Sequence, residues 1–299
     1  MSLISYFKRR LYYGIETTYG QAASMEKALL AQSWDLGAEY VEEDIYAGSR
    51  TYSDRLVLGL NFSPSMEIIP LTGEFMKLIF GKVTNSGTAP PYTHTLEPDP
   101  NTLPSFTVEA ARLGATNMAE RAVGCLVESA EFSFENDGFF SVSLDCRAKS
   151  ASLVTGYTDP NISLPNKSPF LASSRTVTIG TTTYGEVISG SITFENELVE
   201  LPREGDYVVG FAVGKASISG ELEIAFKDSS LMADFLSKNR KDVVIKLSRA
   251  TNDYIQFTLG NCYVEWSGEL PFEDSELTQT VTLYPKTITV EVKDDIAAY

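Results

Sequence analysis

The chain has 299 residues, of which 43% are hydrophobic, and its 40 acidic and 24 basic residues give a formal net charge of −16. This length accommodates one to three domains with a sizeable core. The charge argues against a conventional nucleic-acid-binding protein, which neutralises phosphates with a basic face. An acidic balance is compatible either with a surface that repels nucleic acid or with ordinary solubility.

The sequence contains no run of about 18 consecutive apolar residues, which a membrane-spanning helix requires. The N-terminal stretch MSLISYFKRRLYY lacks the long apolar core of a secretory signal, so we expect synthesis in the cytosol. Cys125, Cys146 and Cys262 form no CxxC pair, and His94 is the only histidine. We therefore expect buried free thiols, no metal site and no cofactor.

Alternation of apolar and polar residues, rich in β-branched and aromatic side chains, is the dominant pattern and predicts a mainly β protein. In chain order the predicted strands are residues 55–62, 105–110, 187–194, 215–226, 243–247, 256–259 and 278–284. In the first of these, Leu56, Leu58, Leu60 and Phe62 share one face, and Arg55, Val57, Gly59 and Asn61 share the other. In residues 215–226 the apolar face comprises Ala216, Ile218, Leu222, Ile224 and Phe226, and the polar one Lys215, Ser217, Ser219, Glu221 and Glu223.

Two segments have helical spacing, namely Leu71, Phe75, Leu78 and Ile79 before Gly81, and Leu231, Met232, Phe235 and Leu236. A third, weaker helix is predicted at residues 21–33. Residues 82–104 carry five prolines and a glycine and predict a long loop, and residues 156–174 resemble an interdomain linker.

The order of these elements repeats on either side of the linker. A strand, a helix, a strand, a Cys-x-Val-Glu segment, an acidic turn and a final strand occur in both halves. Cys125 matches Cys262, and Glu128 matches Glu265 without a gap. We infer an internal duplication, with a first domain at 1–155, a linker at 156–174 and a second domain at 175–299. The proline-rich loop 82–104 is an insertion in the first copy.

Catalytic motifs are missing from the sequence, including the nucleophile elbow, the P-loop, the dinucleotide fingerprint and HExxH. A Ser-His-Asp triad would have to use His94, which lies in the proline-rich segment without a rigid frame. The many carboxylates allow a glycosidase pair, but their place in turns and loops favours a solvated edge, and none has calcium-loop spacing. We predict that the chain is not an enzyme.

Several short patches, in this order and spacing, resemble the two-domain tail tube proteins of tailed bacteriophages. They are residues 14–20 (GIETTYG), 78–81 (LIFG), 92–95 (YTHT), 103–109 (LPSFTVE), 124–127 (GCLV) and 189–196 (SGSITFEN). The resemblance implies two tandem β-sandwich or barrel domains, each with a flanking helix, and no catalytic or metal residues. It also implies a trimer whose six domains form a ring with pseudo-sixfold symmetry, and rings that stack into the tube for DNA ejection.

If residues 215–226 line the lumen, the candidates that face passing DNA are Glu221, Glu223, Ser217 and Ser219. Their counterparts in the first copy are Arg55, Asn61 and Glu109. The loop 82–104, with Tyr92, His94 and Pro98, is the candidate contact between rings, so deleting residues 84–98 should leave folded protein without long tubes.

The resemblance implies as partners further copies of the chain, the tape measure, terminator and baseplate or tip proteins, and DNA that passes without specific binding. The implied location is the tail of the virion, assembled in the host cytoplasm. A glycoside hydrolase, a capsid component, and a capsid decoration or baseplate and receptor-binding protein remain as alternatives.

Overall fold

The computed structural model describes residues 8–45, 54–114, 116–225, 233, 236–267 and 278–299. The first half contains β1 (Lys8–Ile15), β2 (Lys27–Leu29), β3 (Ala31–Asp35), β4 (Ala38–Ile45), β5 (Asp54–Phe62), β6 (Ser65–Ile68), a 3-10 turn (Glu74–Met76), α1 (Lys77–Phe80), β7 (Gly81–Ser86), β8 (Tyr92–Pro98), β9 (Phe106–Leu113), β10 (Met118–Glu135), β11 (Ser141–Arg147) and β12 (Ser150–Thr155).

The second half begins with a 3-10 turn (Ala172–Ser174) and continues with β13 (Arg175–Ile179), β14 (Thr182–Tyr184), β15 (Val187–Glu200), β16 (Arg203–Glu204), β17 (Tyr207–Val208), β18 (Phe211–Ala225), β19 (Arg240–Ala250), β20 (Asp253–Ser267), β21 (Thr278–Tyr284) and β22 (Thr287–Asp294). The prediction of a mainly β fold is confirmed, and the strands pair antiparallel throughout the described residues.

The long strand β10 belongs to two sheets. Its N-terminal part pairs with β9 on one edge and β12 on the other, in a small sheet that continues through β1 to β2. Its C-terminal part pairs with β11 and β15, in a large sheet that runs from β3 and β6 through β11, β10, β15 and β18 to β21. A bulge at Glu128, between these two parts, shifts the register.

The same pairing scheme occurs twice. In the second half β20 takes the place of β10, with β19 on one edge and β22 followed by β21 on the other. The hairpin β13–β14 pairs with β19 as β1–β2 pairs with β9, and β18 lies between β15 and β21 as β6 lies between β3 and β11. The repeated scheme agrees with the inferred duplication, whereas the domain boundaries at 155 and 175 stay a prediction.

One hydrophobic core joins residues of both halves. Phe132 of β10 lies 4.9 Å, between ring centroids, from Phe257 of β20, and Phe80 of α1 lies 4.9 Å from Phe194 of β15. Both pairs are tilted, an arrangement that adds about 1 kcal/mol to the burial of the rings. The pairing of β10 with β15 therefore has a packed apolar layer behind it.

The predicted loop at 82–104 is wrong, because most of it is the hairpin β7–β8. β8 pairs with β22 of the second half and buries His94 and Leu96, whose alternation with threonines is a short strand pattern. The prolines lie where a strand tolerates them, at the hairpin turn and at the end of β8 or beyond.

The predicted helix at 21–33 is also wrong, since this segment contains β2 and β3. Its alanines and lysine favour a helix locally, and pairing with β1 and β6 overrides that preference. The helix predicted around Phe75 is confirmed in short form, and Gly81 ends it with a φ of 81°. The second predicted helix rests on Leu231, Met232 and Phe235, which lie outside the described residues.

Candidate functional site: a polar sheet face

The large sheet has one apolar face and one polar face, because its strands alternate. Phe132, Phe194 and Leu222 point into the core. The other side, hereafter the polar face, comprises Ser65 and Glu67 of β6, Ser141, Ser143 and Asp145 of β11, Ser129, Glu131, Ser133 and Glu135 of β10, Ser189, Ser191, Thr193 and Glu195 of β15, Ser217, Ser219, Glu221 and Glu223 of β18, and Thr278, Thr280 and Thr282 of β21.

Strand register mixes carboxylates with hydroxyls in rows across this face. Ser191 of β15 lies opposite Ser133 on one side and Glu221 on the other. Ser189 likewise lies between Glu135 and Glu223, and its hydroxyl donates to the Glu223 carboxylate at 3.0 Å. The hydroxyls of Ser217 and Ser129 donate to Glu195 and Asp145, at 2.8 and 3.0 Å. Such bonds hold the carboxylates against the sheet.

The polar face is acidic in balance, because seven of the residues that define it are acidic and the alternation adds only two basic residues, Arg147 and Lys215, at one end. There Arg147 pairs with Glu128 at 2.9 Å, and the Lys215 amide donates to Glu197 at 3.2 Å. Neighbouring strands are about 4.8 Å apart, so carboxylates on adjacent strands act on the same passing charge. This surface therefore repels phosphate.

The structure brings four of the predicted lumen residues together, namely Ser217, Ser219, Glu221 and Glu223, all on the polar face of β18. Asn61 on β5 lies opposite Glu39 on β4 and accepts a hydrogen bond from Arg203. Arg55 lies further along β5 and forms ion pairs with Glu42 and Asp44, at 3.0 and 2.9 Å. Which of them face a lumen stays a prediction.

Glu109 does not join the polar face. It is buried in the small sheet, where its carboxylate accepts hydrogen bonds from Arg121 at 2.6 Å and from the Tyr157 hydroxyl at 2.7 Å. Burial, together with that hydrogen bond, raises the pKa of Tyr157. Glu109 thus ties the start of the linker to the first half.

Among the predicted contact residues of the hairpin β7–β8, His94 is fully buried. The sequence instead predicts a position in a loop without rigid support. One ring nitrogen lies 2.6 Å from Asn85 and the other 2.9 Å from the Ile296 carbonyl, and the ring stacks on Tyr299 at 3.8 Å between centroids. Tyr92 is half-buried at the start of β8, and Pro98 pairs with Gly81 at its end. The exposed part of the hairpin is residues 84–91.

The hairpin β4–β5 exposes apolar side chains on both of its faces. Tyr40 is 67% exposed, and Leu56, Val57 and Leu58 are 42–50% exposed. The alternation at 55–62 predicts one shared face for Leu56, Leu58, Leu60 and Phe62, but along that face Leu56 and Leu58 are exposed, Leu60 is half-buried and Phe62 is buried. Contiguous exposed apolar groups are typical of protein–protein contacts.

Sequence reasoning missed the buried carboxylate of Glu16. Its oxygens accept hydrogen bonds from the amides of Gly20 and Gly124, at 2.8 and 2.7 Å, and from the Thr107 hydroxyl at 2.8 Å. The signal was that Glu16, Gly20, Thr107 and Gly124 all fall in the patches that carry the family resemblance. Glu16 thereby joins the end of β1 to β9 and β10.

The three cysteines are free and buried, as the sequence predicts. Burial raises the pKa of Cys262 to about 12 and that of Cys125 well above its ordinary value, so neither thiol is a ready nucleophile. Within the described ranges, His, Cys, Asp and Glu side chains form no group of three or more that could hold a metal ion. The helices of those ranges are too short or too polar to cross a membrane.

Paired antiparallel sheets, an acidic polar face and one exposed apolar hairpin characterise this mainly β protein. A family model described as phage tail tube protein matches residues 7–298. The chain belongs to the phage tail tube protein family, and it is therefore a structural protein of the virion tail. No curated protein matches the chain.

Proposed function

We propose that the chain polymerises into stacked rings that form the tail tube, with the polar face as the wall of the channel through which DNA is ejected. The observation that carries this proposal is the continuity of the polar face across both halves, through the pairing of β10 with β15. A sheet that has core on one side and a long acidic row on the other is what a channel wall needs.

The wall has to let DNA slide past without sticking. Basic side chains would neutralise phosphates and release counterions, which is the source of non-specific DNA affinity. Glu131, Glu221 and Glu223, with serine hydroxyls between them, present the opposite charge pattern. Passage without specific binding follows from that pattern.

Three chains form each ring in this proposal, because each chain supplies two copies of the same strand scheme. Two copies per chain and six domains per ring give pseudo-sixfold symmetry. The chain would reach its place in the tail beside the tape measure, terminator and baseplate or tip proteins, after assembly in the host cytoplasm. These partners follow from the family rather than from any surface of this chain.

Stacking of rings needs contacts that extend along the tube axis without closing on themselves. The exposed part of the hairpin β7–β8, residues 84–91, is one candidate, and the apolar hairpin β4–β5 is the other. Deleting residues 84–98 would also remove the whole of β8 and so expose the edge of β22. Replacing only residues 87–91 with Asn-Gly keeps both strands, so it should leave folded rings that fail to form long tubes.

Negative-stain microscopy of the purified protein at high concentration tests the proposal. Stacked rings with a central hole are expected. A capsid decoration protein, or a baseplate and receptor-binding protein, would form closed oligomers instead, and a glycoside hydrolase would remain monomeric and turn over sugars. Either of the last two results contradicts the proposed tube.

A further inference from the structure

The carboxylates of the polar face are never directly opposite one another in the strand pairs that the structure describes. Glu131, for example, lies between Ser143 of β11 and Thr193 of β15. The cross-strand neighbours are likewise serines or threonines for Glu67, Glu135, Asp145, Glu195, Glu221 and Glu223. A hydroxyl residue therefore separates the carboxylates along each row across the sheet.

The hydroxyls also hold the carboxylates one at a time, because a serine side chain has a single proton to donate. Ser189 donates to Glu223 at 3.0 Å. Ser217 donates to Glu195 at 2.8 Å and so draws that carboxylate towards β18, away from Glu131 on β10. These bonds keep neighbouring carboxylates from converging on a common point.

The spacing is clearest in a shallow depression of about 190 Å³ between β10 and β18. Two carboxylates of β10 and two of β18 line it, and Ser189 and Ser191 of β15 lie between the two pairs. Strand spacing places the carboxylate residues of β10 about 9.6 Å from those of β18. The depression is therefore surrounded by negative charges that are held apart.

A divalent cation requires carboxylates that are closer together. Mg²⁺ and Ca²⁺ bind oxygens at about 2.0–2.6 Å, so two oxygens on one ion lie at most about 5 Å apart. Residues directly opposite each other on neighbouring strands meet this condition, since their Cβ atoms are about 4.5–5.5 Å apart. A protein-bound Mg²⁺ commonly joins one or two carboxylates to phosphate oxygens. Carboxylates placed opposite each other would thus turn an acidic wall into a phosphate-binding one.

We propose that the hydroxyl residues of β15, namely Ser189, Ser191 and Thr193, are positioning residues of the channel wall, which keep its carboxylates too far apart to capture a divalent cation. The proposal rests on the proposed function and adds the condition under which an acidic wall stays free of DNA. Double-stranded DNA carries a condensed layer of counterions. The charge of the wall repels phosphate, and the spacing prevents those counterions from bridging phosphate to the wall.

The variant Ser189→Glu tests the spacing, because this position lies directly opposite both Glu135 and Glu223. Tubes of the variant should bind double-stranded DNA in millimolar Mg²⁺ and lose it in EDTA, as measured by cosedimentation. Wild-type tubes should leave the DNA in the supernatant under both conditions. The matched control is Ser219→Glu, which adds the same charge at an exposed position whose described neighbour is Thr193; it should behave like wild type.

Thermal unfolding in Mg²⁺ and in EDTA gives a second readout that does not require tubes. The ion should raise the Tm of Ser189→Glu by about 2 °C when present at about ten times its dissociation constant, and should leave wild type and Ser219→Glu unchanged. If repulsion prevents Ser189→Glu from folding, Ser191→Glu carries the same test, because it faces the single carboxylate of Glu221.

Three outcomes would overturn the role of the spacing while the proposed tube stands. They are wild-type tubes that bind DNA in Mg²⁺ as tightly as those of Ser189→Glu, a Ser219→Glu variant with the same Mg²⁺ dependence, and a Ser189→Glu variant that responds to Mg²⁺ in neither measurement. A wild-type chain that never forms stacked rings would instead contradict the proposed function, and the shift in Tm would then decide the spacing alone.

Discussion

At the scale of single residues, buried hydrogen bonds hold the first half together. The Glu16 carboxylate satisfies two backbone amides and one hydroxyl, and that hydroxyl, of Thr107, in turn accepts from the Ala23 amide at 2.9 Å. Glu16, Gly20, Thr107 and Gly124 lie in the patches of the family resemblance, but the sequence does not show that they meet, because they come from three separate segments. Their proximity depends on the pairing of β1 with β9 and of β9 with β10.

Replacing Glu16 with alanine should lower the free energy of unfolding by about 3 kcal/mol, because buried donors lose a charged acceptor. Glu16→Gln should cost less, about 1–2 kcal/mol, since the amide oxygen can still accept from Thr107 and Gly124. Urea unfolding followed by fluorescence measures both. Equal stability of all three proteins would show that the cluster adds nothing.

Two tyrosines, Tyr12 and Tyr157, attach the linker to the small sheet through their hydroxyl groups. The free energy of unfolding should therefore vary with pH in the alkaline range. The Tyr12 hydroxyl donates to Asp159 at 2.7 Å, and burial together with that bond raises the pKa of Tyr12 to about 12. An unfolded tyrosine titrates near pH 10. The folded protein thus favours the neutral phenol of Tyr12. The stability that this phenol contributes is intact below about pH 10 and is lost as the pH rises through about 12.

We therefore expect wild type to be more stable than Tyr12→Phe at pH 8, and the difference to shrink between about pH 10 and pH 12. Parallel urea titrations of the two proteins measure it, and comparing them cancels the titration of the other tyrosines. A difference that stays constant over this range would contradict the assignment.

At the scale of elements, the regular strands could be predicted and the irregular pairings could not. The alternation at 278–284 gave β21 with its true ends, and that at 215–226 gave the polar face of β18 as far as the structure describes it. The same kind of pattern in Ala130, Phe132 and Phe134 was available for β10. The hairpin β7–β8 was missed because the number of prolines in it hid a short alternation. The strand β3 was missed because helix propensity is a local property, whereas the pairing of β3 with β6 joins segments distant in sequence.

At the scale of the whole molecule, the account depends on where the polar face lies in the assembled tube. Reversing its charge with E131K/E221K/E223K should produce tubes that bind double-stranded DNA with an affinity that falls steeply with salt, whereas wild-type tubes should not bind it. Cosedimentation of DNA with tubes measures this, and a three-residue reversal at the exposed Glu26, Asp137 and Glu204, which lie outside the polar face and the hairpin β4–β5, controls for net charge. Equal binding by both variants would show that the polar face does not line the channel.

A cryo-electron microscopy structure of the assembled tube would show where the polar face lies. Glu131, Glu221 and Glu223 should line the central channel. A tube with these three carboxylates on its outer surface would contradict this placement.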